Sequence, residues 1–251
     1  MRKISFVGVG PGDPELLTIK AIKIIKSADV IFWTDSLIPE SIIGFANRNI
    51  KKIRTSSLNL DQITSMMVQE FKLGKNVIRL HDGDPCLYGA ISEQIKILND
   101  NEIKVEVIPG ISAFQVTASY HQAELTIPEI TQTIILSRYG GRTGMPKKET
   151  LRNLAKLNSS LCLYLSARHV KEAQDILLDH YAPETNVIVG YRVSWEDGWT
   201  SLISLKDMAK FSLQNNLIRT TIYIVSPALG QISKTSNLYN PTYRHLFRNN
   251  E

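Results

Sequence analysis

Three short glycine-rich loops directly follow apolar runs that predict buried β-strands. They are GVGPGDP at residues 8–14, HDGDPCLYG at 81–89 and PGISA at 109–113. Glycine lets a ligand approach the main chain closely, and proline stiffens a loop. Ligands of α/β proteins collect at the carboxyl ends of the strands, so these loops are candidates for a binding site. The first loop is not a dinucleotide fingerprint, because Pro11 and Pro14 interrupt it.

The second loop carries acidic groups on both sides of a glycine. Asp82, Gly83 and Asp84 follow the predicted strand directly, which suits recognition of hydroxyls or amines, such as those of a ribose and an amino acid. No histidine and carboxylate spacing here matches a common metal site, so we predict no metal. His81 stands alone at the strand end, a position more typical of a structural histidine than a catalytic one.

Simple structural roles also explain parts of these loops. The first loop could be a tight turn in which Asp13 caps the next element. Ser112 could cap the helix that follows the third loop, although the free N–H groups of such a helix can also hold a ligand.

A fourth candidate loop carries two arginines. Arg138 and Arg142 flank Gly140 and Gly141 after a predicted strand, and two guanidinium groups on such a loop can clamp carboxylates. The same residues could be ordinary surface arginines, which would contribute little.

The order of the elements predicts an α/β fold with mostly parallel sheets in two domains. The predicted strands are Ile4–Val7, Val30–Trp33, Val77–Leu80, Val105–Ile108, Thr133–Leu136, Leu161–Leu165, Val187–Tyr191 and Ile222–Val225. The predicted helices are Thr18–Ser27, Asp61 to about Gly74, Ile91–Leu98, Ser112–His121, Lys148–Leu157, Val170–His180 and Leu205–Leu213. We predict an N-terminal domain over residues 1–113, a C-terminal domain over 114–229 and a polar tail over 230–251.

Composition indicates a soluble, reduced, cytoplasmic protein. The chain has 251 residues, 43% of them hydrophobic and 21% charged, with a formal net charge of +5. The excess charge favours an anionic partner only mildly, and no basic run resembles a nucleic-acid-binding arm. No apolar stretch is long enough to span a bilayer. The two cysteines, Cys86 and Cys162, lack metal-ligand spacing.

Together these motifs resemble the tetrapyrrole methylase family, also called class III methyltransferases. The shared segments are VGVGPGDP at residues 7–14, GDP at 83–85 with YG at 88–89, and VIPGISA at 107–113. Their order and spacing are specific, and the resemblance covers nearly the whole chain. Asp82 departs from the family pattern, which has a small hydroxyl residue there.

The resemblance implies the cofactor S-adenosylmethionine, folded in a cleft between the two domains. By motif, the residues implied to contact it are Pro11, Asp82, Gly83, Asp84, Leu87, Ser112, Ala113, Leu165, Val193 and Thr221. Leu165 could instead be an ordinary core residue. The implied substrate is a polycarboxylate tetrapyrrole, with Arg138, Arg142 and Arg192 as candidates for binding its carboxylates. Asp35 is the candidate for binding pyrrole N–H groups or accepting a proton, and it could equally cap a turn.

Within the family the chain is most similar to the branch that methylates precorrin-4, with or without cobalt, at C-11. The segments that carry this likeness are DSL at 35–37, ELTIPE at 124–129, TQT at 131–133, GRT at 141–143 and the tail LYNPTY at 238–243. Alternatives are methylation at C-17 or C-20, methylation of uroporphyrinogen III, an RNA methyltransferase of the same fold, or a cofactor-binding module without catalysis. The expected signature of RNA binding, a basic stripe with aromatic residues, is missing. The resemblance also implies a homodimer.

Overall fold

The computed structural model describes residues 2–141, 144–230 and 244. By its internal contacts the chain divides into two units. Unit 1 runs through residue 116 and also includes Arg192–Trp199, whereas unit 2 contains Thr117–Tyr191 and the chain from Thr200 onward. The sequence-based boundary at residue 113 lies three residues before the first of these divisions. Nothing in the pattern of residues indicated that 192–199 would group with unit 1.

Unit 1 is built on a five-stranded sheet with the order β3-β2-β4-β1-β5. Its strands are β1 (Ile4–Gly8), β2 (Val30–Trp33), β3 (Lys51–Arg54), β4 (Val77–His81) and β5 (Val105–Ile108). Every neighbouring pair is parallel. Because the strands are parallel, the loops that follow β1, β4 and β5 leave the same edge of the sheet, side by side.

Helices cover both faces of this sheet. They are α1 (Ile19–Lys26), α2 (Glu40–Ile43), α3 (Leu60–Lys72), α4 (Ile91–Asp100) and the first half of α5 (Ala113–Tyr120). Alternate residues of β1 face opposite sides. Phe6 packs with a core that includes Met67 of α3, whereas Val7 packs with a core that includes Ile25 of α1. Thr18 caps α1 as predicted, its hydroxyl accepting from the Ala21 amide at 3.1 Å.

Unit 2 also has five strands, in the order β6-β7-β10-β8-β9. They are β6 (Ile134–Arg138), β7 (Ser160–Tyr164), β8 (Asn186–Tyr191), β9 (Trp199–Ser204) and β10 (Thr221–Val225). Its remaining helices are α6 (Leu151–Ala155), α7 (Val170–Leu178) and α8 (Met208–Gln214). The α/β class is confirmed. The expectation of mostly parallel strands holds in unit 1, but here β10 is antiparallel to both β7 and β8, whereas β6 and β7 are parallel.

Strands β3 and β9 were not predicted from the sequence. In β3 only Ile53 is buried, and β9 has no fully buried residue. Both lie at sheet edges, where an apolar alternation is not required. The predicted tail over residues 230–251 lies, apart from residues 230 and 244, outside the described residues.

Candidate functional site

The loops after β1, β4 and β5 meet through their main chains. The Val9 amide donates to the His81 carbonyl at 2.9 Å. Gly10 and Gly83 exchange two backbone hydrogen bonds, of 3.3 Å from the Gly10 amide and 2.8 Å from the Gly83 amide. The three glycine loops predicted from the sequence therefore form one backbone platform at the carboxyl edge of the sheet.

Side chains are excluded from the centre of this platform. A Cβ at Gly110 would lie 2.2 Å from the Gly83 oxygen, and a Cβ at Gly8 would lie 2.6 Å from the Gly110 nitrogen. These contacts are with backbone atoms that have no freedom to move aside. Glycine at both positions is thus required by close packing of the loops. Gly83 needs glycine for a different reason, because its φ is +58°.

Asp84 holds two of these loops together. One carboxylate oxygen accepts from the Cys86 amide at 2.8 Å and the other accepts from the Gly110 amide at 3.0 Å. In the structure it supports the platform. The direct contact with the cofactor that the motif implies for this residue stays a prediction.

Asp82 is placed differently. Its side chain is exposed, yet burial raises the pKa of its carboxyl, against the opposing effects of its own backbone N–H and the charge of Arg79. The raised pKa reflects the protein atoms that surround this carboxyl. Asp82 is the more exposed of the two acidic residues of this loop.

The loop after β4 also contains strained backbone. Tyr88 and Ala90 have φ of 58° and 48°, in the left-handed region that residues with a Cβ rarely adopt. Such strain costs roughly 1–3 kcal/mol for each residue and is concentrated at ligand sites. Leu87, which the motif predicts to contact the cofactor, is half-buried immediately before these two residues.

Residues 192–199 form a strap against the first glycine loop. The Trp195 indole donates to the Pro11 carbonyl at 2.9 Å, and the Asp13 amide donates to the Ser194 hydroxyl at 2.9 Å. A Cβ at Gly12 would lie 2.4 Å from the Trp195 ring. Asp13 also caps the next turn by accepting a hydrogen bond from the Glu15 amide, which is the capping role predicted for it from the sequence. The strap was missed in the sequence, where Ser194 and Trp195 carry no motif.

Two predicted site residues lie in this strap. The Arg192 guanidinium stacks 3.9 Å from the Trp195 ring centre, and its Nε donates to Asp197 at 2.8 Å. The indole ring covers one face of the guanidinium and the Asp197 carboxylate accepts a hydrogen bond from Nε. These two contacts fix the orientation of the Arg192 guanidinium. Val193, a predicted cofactor contact, is buried at 4% exposure.

Ser112 and Ala113 lie at the start of α5, next to the platform. Ser112 is buried and its amide donates to the Gln115 side chain at 2.9 Å, while Ala113 is half-buried. The Cα of Ser112 lies 3.8 Å from the position that a Cβ on Gly83 would occupy. The structure thus brings the third loop, at Ser112, against the second.

Asp35 lies on the loop after β2, which is a neighbour of β4. One oxygen accepts from the Ser56 amide at 3.3 Å. A hydrogen bond from the Ser56 side chain lowers the pKa of Asp35; slight desolvation opposes this, and the backbone amides and Arg54 assist it. The carboxyl is ionised at neutral pH and is half-exposed.

In unit 2, Leu165 is not a core residue. The predicted strand Leu161–Leu165 ends at Tyr164. Leu165 follows with φ of 52° and 68% exposure. An apolar side chain held outward in a strained conformation is typical of a binding contact. Thr221, the other predicted contact in this unit, is buried and donates to the Arg219 carbonyl at 3.0 Å.

Of the two arginines predicted to clamp carboxylates, Arg138 lies among the residues that the structure describes. Arg138 is the last residue of β6, and its guanidinium donates to the carbonyls of Gly140 at 3.2 Å and Gly144 at 2.7 Å. It thereby holds the loop that follows the strand. Arg142 lies outside the described residues, and its predicted role stays a prediction.

A family model named Tetrapyrrole (Corrin/Porphyrin) Methylases matches residues 3–207. The chain belongs to the tetrapyrrole methylase family. The resemblance inferred from the three loop motifs is confirmed.

Two curated tetrapyrrole methylases are similar over almost their full length. The chain is 41% identical over 250 residues to the cobalt-precorrin-4 C(11)-methyltransferase of Methanocaldococcus jannaschii, covering 98% of this chain and 96% of that protein. It is 36% identical over 249 residues to the precorrin-4 C(11)-methyltransferase of Pseudomonas aeruginosa, covering 99% of each.

Solved tetrapyrrole methylases share its structure. The X-ray structure of a cobalt precorrin-4 methyltransferase, described as a cobalamin biosynthetic enzyme, matches with a TM-score of 0.88 and 33% identity over 91% of this chain and 96% of that chain. A uroporphyrin-III C-methyltransferase from Thermus thermophilus, complexed with S-adenosylhomocysteine, matches with a TM-score of 0.74 at 23% identity over 91% of this chain and 93% of that chain. At 23% identity, the similarity to the Thermus thermophilus enzyme indicates a shared fold.

Metal-binding clusters and membrane-spanning helices are two further features relevant to this tetrapyrrole methylase. Within the described ranges, histidine, cysteine and acidic side chains nowhere gather in threes that could hold a metal ion. No helix in the part of the chain that the structure covers has the length and apolar character needed to cross a membrane.

Proposed function

We propose that this chain is an S-adenosylmethionine-dependent C-methyltransferase that methylates precorrin-4, free or carrying cobalt, at C-11. The backbone platform of the three glycine loops is the observation that carries the proposal. Full-length similarity to proteins named for this reaction supports the position of methylation. We also propose, from the resemblance, that the protein is a cytoplasmic homodimer.

The platform fits a small ligand that lies against the main chain. Its centre has no room for a Cβ, because Gly8, Gly83 and Gly110 are in backbone contact. Beside this bare surface stands the carboxyl of Asp82, an exposed residue, which can accept from the hydroxyl or amine groups of a nucleoside or amino acid. A nucleoside joined to an amino acid, as in S-adenosylmethionine, matches both features.

We assign the binding of this cofactor to the residues that the platform presents. They are Pro11, Asp82, Gly83, Leu87, Ser112 and Ala113, with Asp84 as the support of the loop. In unit 2 we assign Leu165, whose exposed side chain is free to pack on a ligand. Val193 and Thr221 are buried, so we propose that their contribution is through the main chain.

The cofactor supplies a methyl group already activated on a sulfonium sulfur. The protein therefore needs no nucleophile of its own, and its contribution is to align the reactants and exclude water. Alignment of this kind can account for roughly 7–11 kcal/mol of a barrier. We propose that Asp35, ionised and half-exposed, binds pyrrole N–H groups of the substrate or accepts the proton that the macrocycle loses from another position when the ring carbon is methylated.

We propose that Arg192 binds a carboxylate of the tetrapyrrole, together with Arg138 and Arg142. Trp195 covers one face of the Arg192 guanidinium, and Asp197 accepts a hydrogen bond from Nε. These contacts fix the plane in which the two terminal nitrogens lie. That pair of donors matches the geometry of a carboxylate. Arg138 already donates to two loop carbonyls, so we expect it to shape the pocket as well as to bind.

Mass spectrometry of the purified protein tests the whole proposal. The protein is incubated with S-adenosylmethionine and, in parallel, with precorrin-4, cobalt-precorrin-4 or uroporphyrinogen III. We expect one added methyl group on precorrin-4 or its cobalt form, located at C-11 by NMR. Methylation of uroporphyrinogen III alone would refute the C-11 assignment. Failure to bind S-adenosylhomocysteine in calorimetry would refute the cofactor.

Replacing Arg192 by alanine tests the carboxylate site. A charge-assisted hydrogen bond contributes about 1.5–3 kcal/mol, so KM for the tetrapyrrole should rise roughly tenfold to a hundredfold. The Kd of S-adenosylhomocysteine should stay within about twofold. Lys104→Ala is a control that removes one exposed positive charge just before β5, at the opposite edge of the sheet. Equal loss of affinity for both ligands would show that Arg192 is not a substrate residue.

A further inference from the structure

Unit 1 contains a buried arginine in the middle of its sheet. Arg79 lies on β4, in register with Phe6 of β1 and Phe32 of β2, and it is 6% exposed. Burial lowers the pKa of Arg79 to about 10, against the opposing charge of Asp82, so the side chain is a cation at neutral pH. A buried charge is costly unless other groups compensate it. Its retention therefore calls for an explanation.

The partners of Arg79 are two threonine hydroxyls. One terminal nitrogen donates to Thr55 Oγ1 at 3.1 Å, and the other donates to Thr34 Oγ1 at 3.2 Å. The Thr55 hydroxyl donates to the Trp33 carbonyl at 3.1 Å and lies 3.3 Å from the Thr34 hydroxyl. Among the residues that the structure describes, no carboxylate forms an ion pair with Arg79, and its Nε has no acceptor.

These hydrogen bonds fit a single arrangement of protons. Since the proton of Thr55 goes to the Trp33 carbonyl, Thr34 is the donor between the two hydroxyls. Both threonine oxygens then accept from the same guanidinium. The planar fork of an arginine can make these two bonds at once, which the single ammonium of a lysine does poorly.

The two threonines stand directly before the Asp35 site. Thr34 follows β2 and precedes Asp35, while Thr55 follows β3 and precedes Ser56. The Ser56 amide donates to Asp35 at 3.3 Å. The guanidinium thus ties together the two strand ends from which Asp35 and its hydrogen-bond partner extend.

We propose that Arg79 is a positioning residue, which holds the Asp35 carboxylate in place for the substrate by tying Thr34 to Thr55. The inference rests on the proposed function, in which Asp35 meets the tetrapyrrole. Arg79 itself is buried and touches no reactant. The fork of guanidinium donors fixes both strand ends at once, and a misplacement of about 1 Å at a reacting group can lower a rate about a hundredfold.

A double-mutant cycle tests whether Arg79 acts through Asp35. Arg79→Lys should lower kcat about tenfold to a hundredfold. The Kd of S-adenosylhomocysteine should stay within about twofold, because lysine keeps the positive charge that acts on Asp82 and Arg79 takes no part in the backbone hydrogen bonds of the platform. Asp35→Asn should lower kcat at least as much, and the double variant should be no slower than Asp35→Asn alone. Multiplied effects in the double variant, or an Asp35→Asn variant as active as the parent, would overturn the proposal.

A control separates positioning from simple loss of stability. Ser160 in unit 2 belongs to another buried network, in which its hydroxyl donates to the Leu125 carbonyl at 2.6 Å and lies 2.6 Å from the Ser226 hydroxyl. Ser160→Ala should destabilise the fold and leave kcat within about twofold. If it lowers kcat as much as Arg79→Lys does, the effect at Arg79 is only structural.

A readout that needs no turnover is the pKa of Asp35, measured by carboxyl NMR. The Ser56 hydrogen bonds lower this pKa, and Arg54, which is paired with Glu40, is the charged group that faces it. Arg79→Lys and Thr34→Val should each raise it toward 3.8, the ordinary value, and Ser160→Ala should not change it. An unchanged pKa in both variants would refute positioning. Absence of methyl transfer by the parent protein, with the pKa changes present, would refute the proposed function instead.

Discussion

The pH dependence of stability can be predicted from His81. This side chain is 5% exposed, packs edge-on against Phe6 at 5.4 Å, and has no hydrogen-bond partner for Nε2 among the described residues. Burial, with help from the charge of Arg79, lowers the pKa of His81 from 6.5 to about 3. Between these values the unfolded chain binds a proton that the folded chain does not. The stabilising contribution is therefore complete above pH 6.5 and is lost as the pH falls toward 3.

The magnitude at about pH 5 follows from the unfolded state alone. An unfolded histidine with a pKa near 6.5 gains about 2 kcal/mol from protonation at that pH, and almost nothing at about pH 7.5. The folded state gains nothing at either pH, as long as its pKa lies well below 5. His81 should thus account for about 2 kcal/mol of lost unfolding free energy between these two conditions.

Urea unfolding followed by tryptophan fluorescence measures this loss of unfolding free energy in unit 1, which contains His81. Of the three tryptophans of the chain, Trp33 and Trp195 lie within unit 1, and Trp199 is the last residue of its 192–199 segment and the first of β9. In His81→Phe and His81→Gln the difference in unfolding free energy between the two pH values should be smaller than in the parent by about 2 kcal/mol. Each variant is compared with itself at two pH values, so its general loss of stability cancels. Equal pH sensitivity in the parent and both variants would mean that His81 is not kept neutral by burial.

Two further substitutions test the platform and its strap. Gly110→Ala would place a Cβ 2.2 Å from the Gly83 oxygen, so we expect it to destabilise unit 1 by about 1–3 kcal/mol and to abolish S-adenosylhomocysteine binding in calorimetry. Gly144→Ala is a control in unit 2 that imposes the backbone strain of a φ of +63° without any atom within 4 Å of the new Cβ, and it should retain that binding. Retained binding in Gly110→Ala would contradict the packed platform. Trp195→Phe keeps the ring and loses the hydrogen bond to the Pro11 carbonyl, so the Kd of S-adenosylhomocysteine should rise about fivefold. An unchanged Kd would show that the strap does not hold the first loop for the ligand.

The strands that carry the platform could be predicted because they are fully buried. In β1, β2 and β4 every residue is buried, and such strands are rich in apolar and β-branched residues, although Ser5 interrupts β1 and Arg79 and His81 interrupt β4. Edge strands such as β3, which reads Lys-Lys-Ile-Arg, have no such pattern. The glycine loops were visible for a related reason, since close backbone contact requires glycine whatever the ligand is.

The roles of individual side chains at the site could not be predicted in the same way. Asp82 and Asp84 are two residues apart and look alike in the sequence, but one is exposed and the other supports the third loop. The difference depends on Gly110, which is 26 residues from Asp84. The contact of Trp195 with Pro11 spans 184 residues. A local sequence pattern indicates the secondary structure and burial of its own segment. The roles of Asp84 and Trp195 depend instead on contacts with residues that are distant in the sequence.

The construction of unit 1 bears on how a ligand would bind there. The platform is held by backbone hydrogen bonds between Gly10 and Gly83, by the two bonds of Asp84, and by the strap at Trp195. Each of these contacts is made within the protein and none needs a ligand. The cost of ordering loops upon binding should therefore be small, since the ordering has already occurred in folding. It follows that substitutions in these supports should lower ligand affinity even where they never touch the ligand. The side chain of Asp82 forms no hydrogen bond to another loop among the described residues, so its substitution should affect affinity without affecting stability.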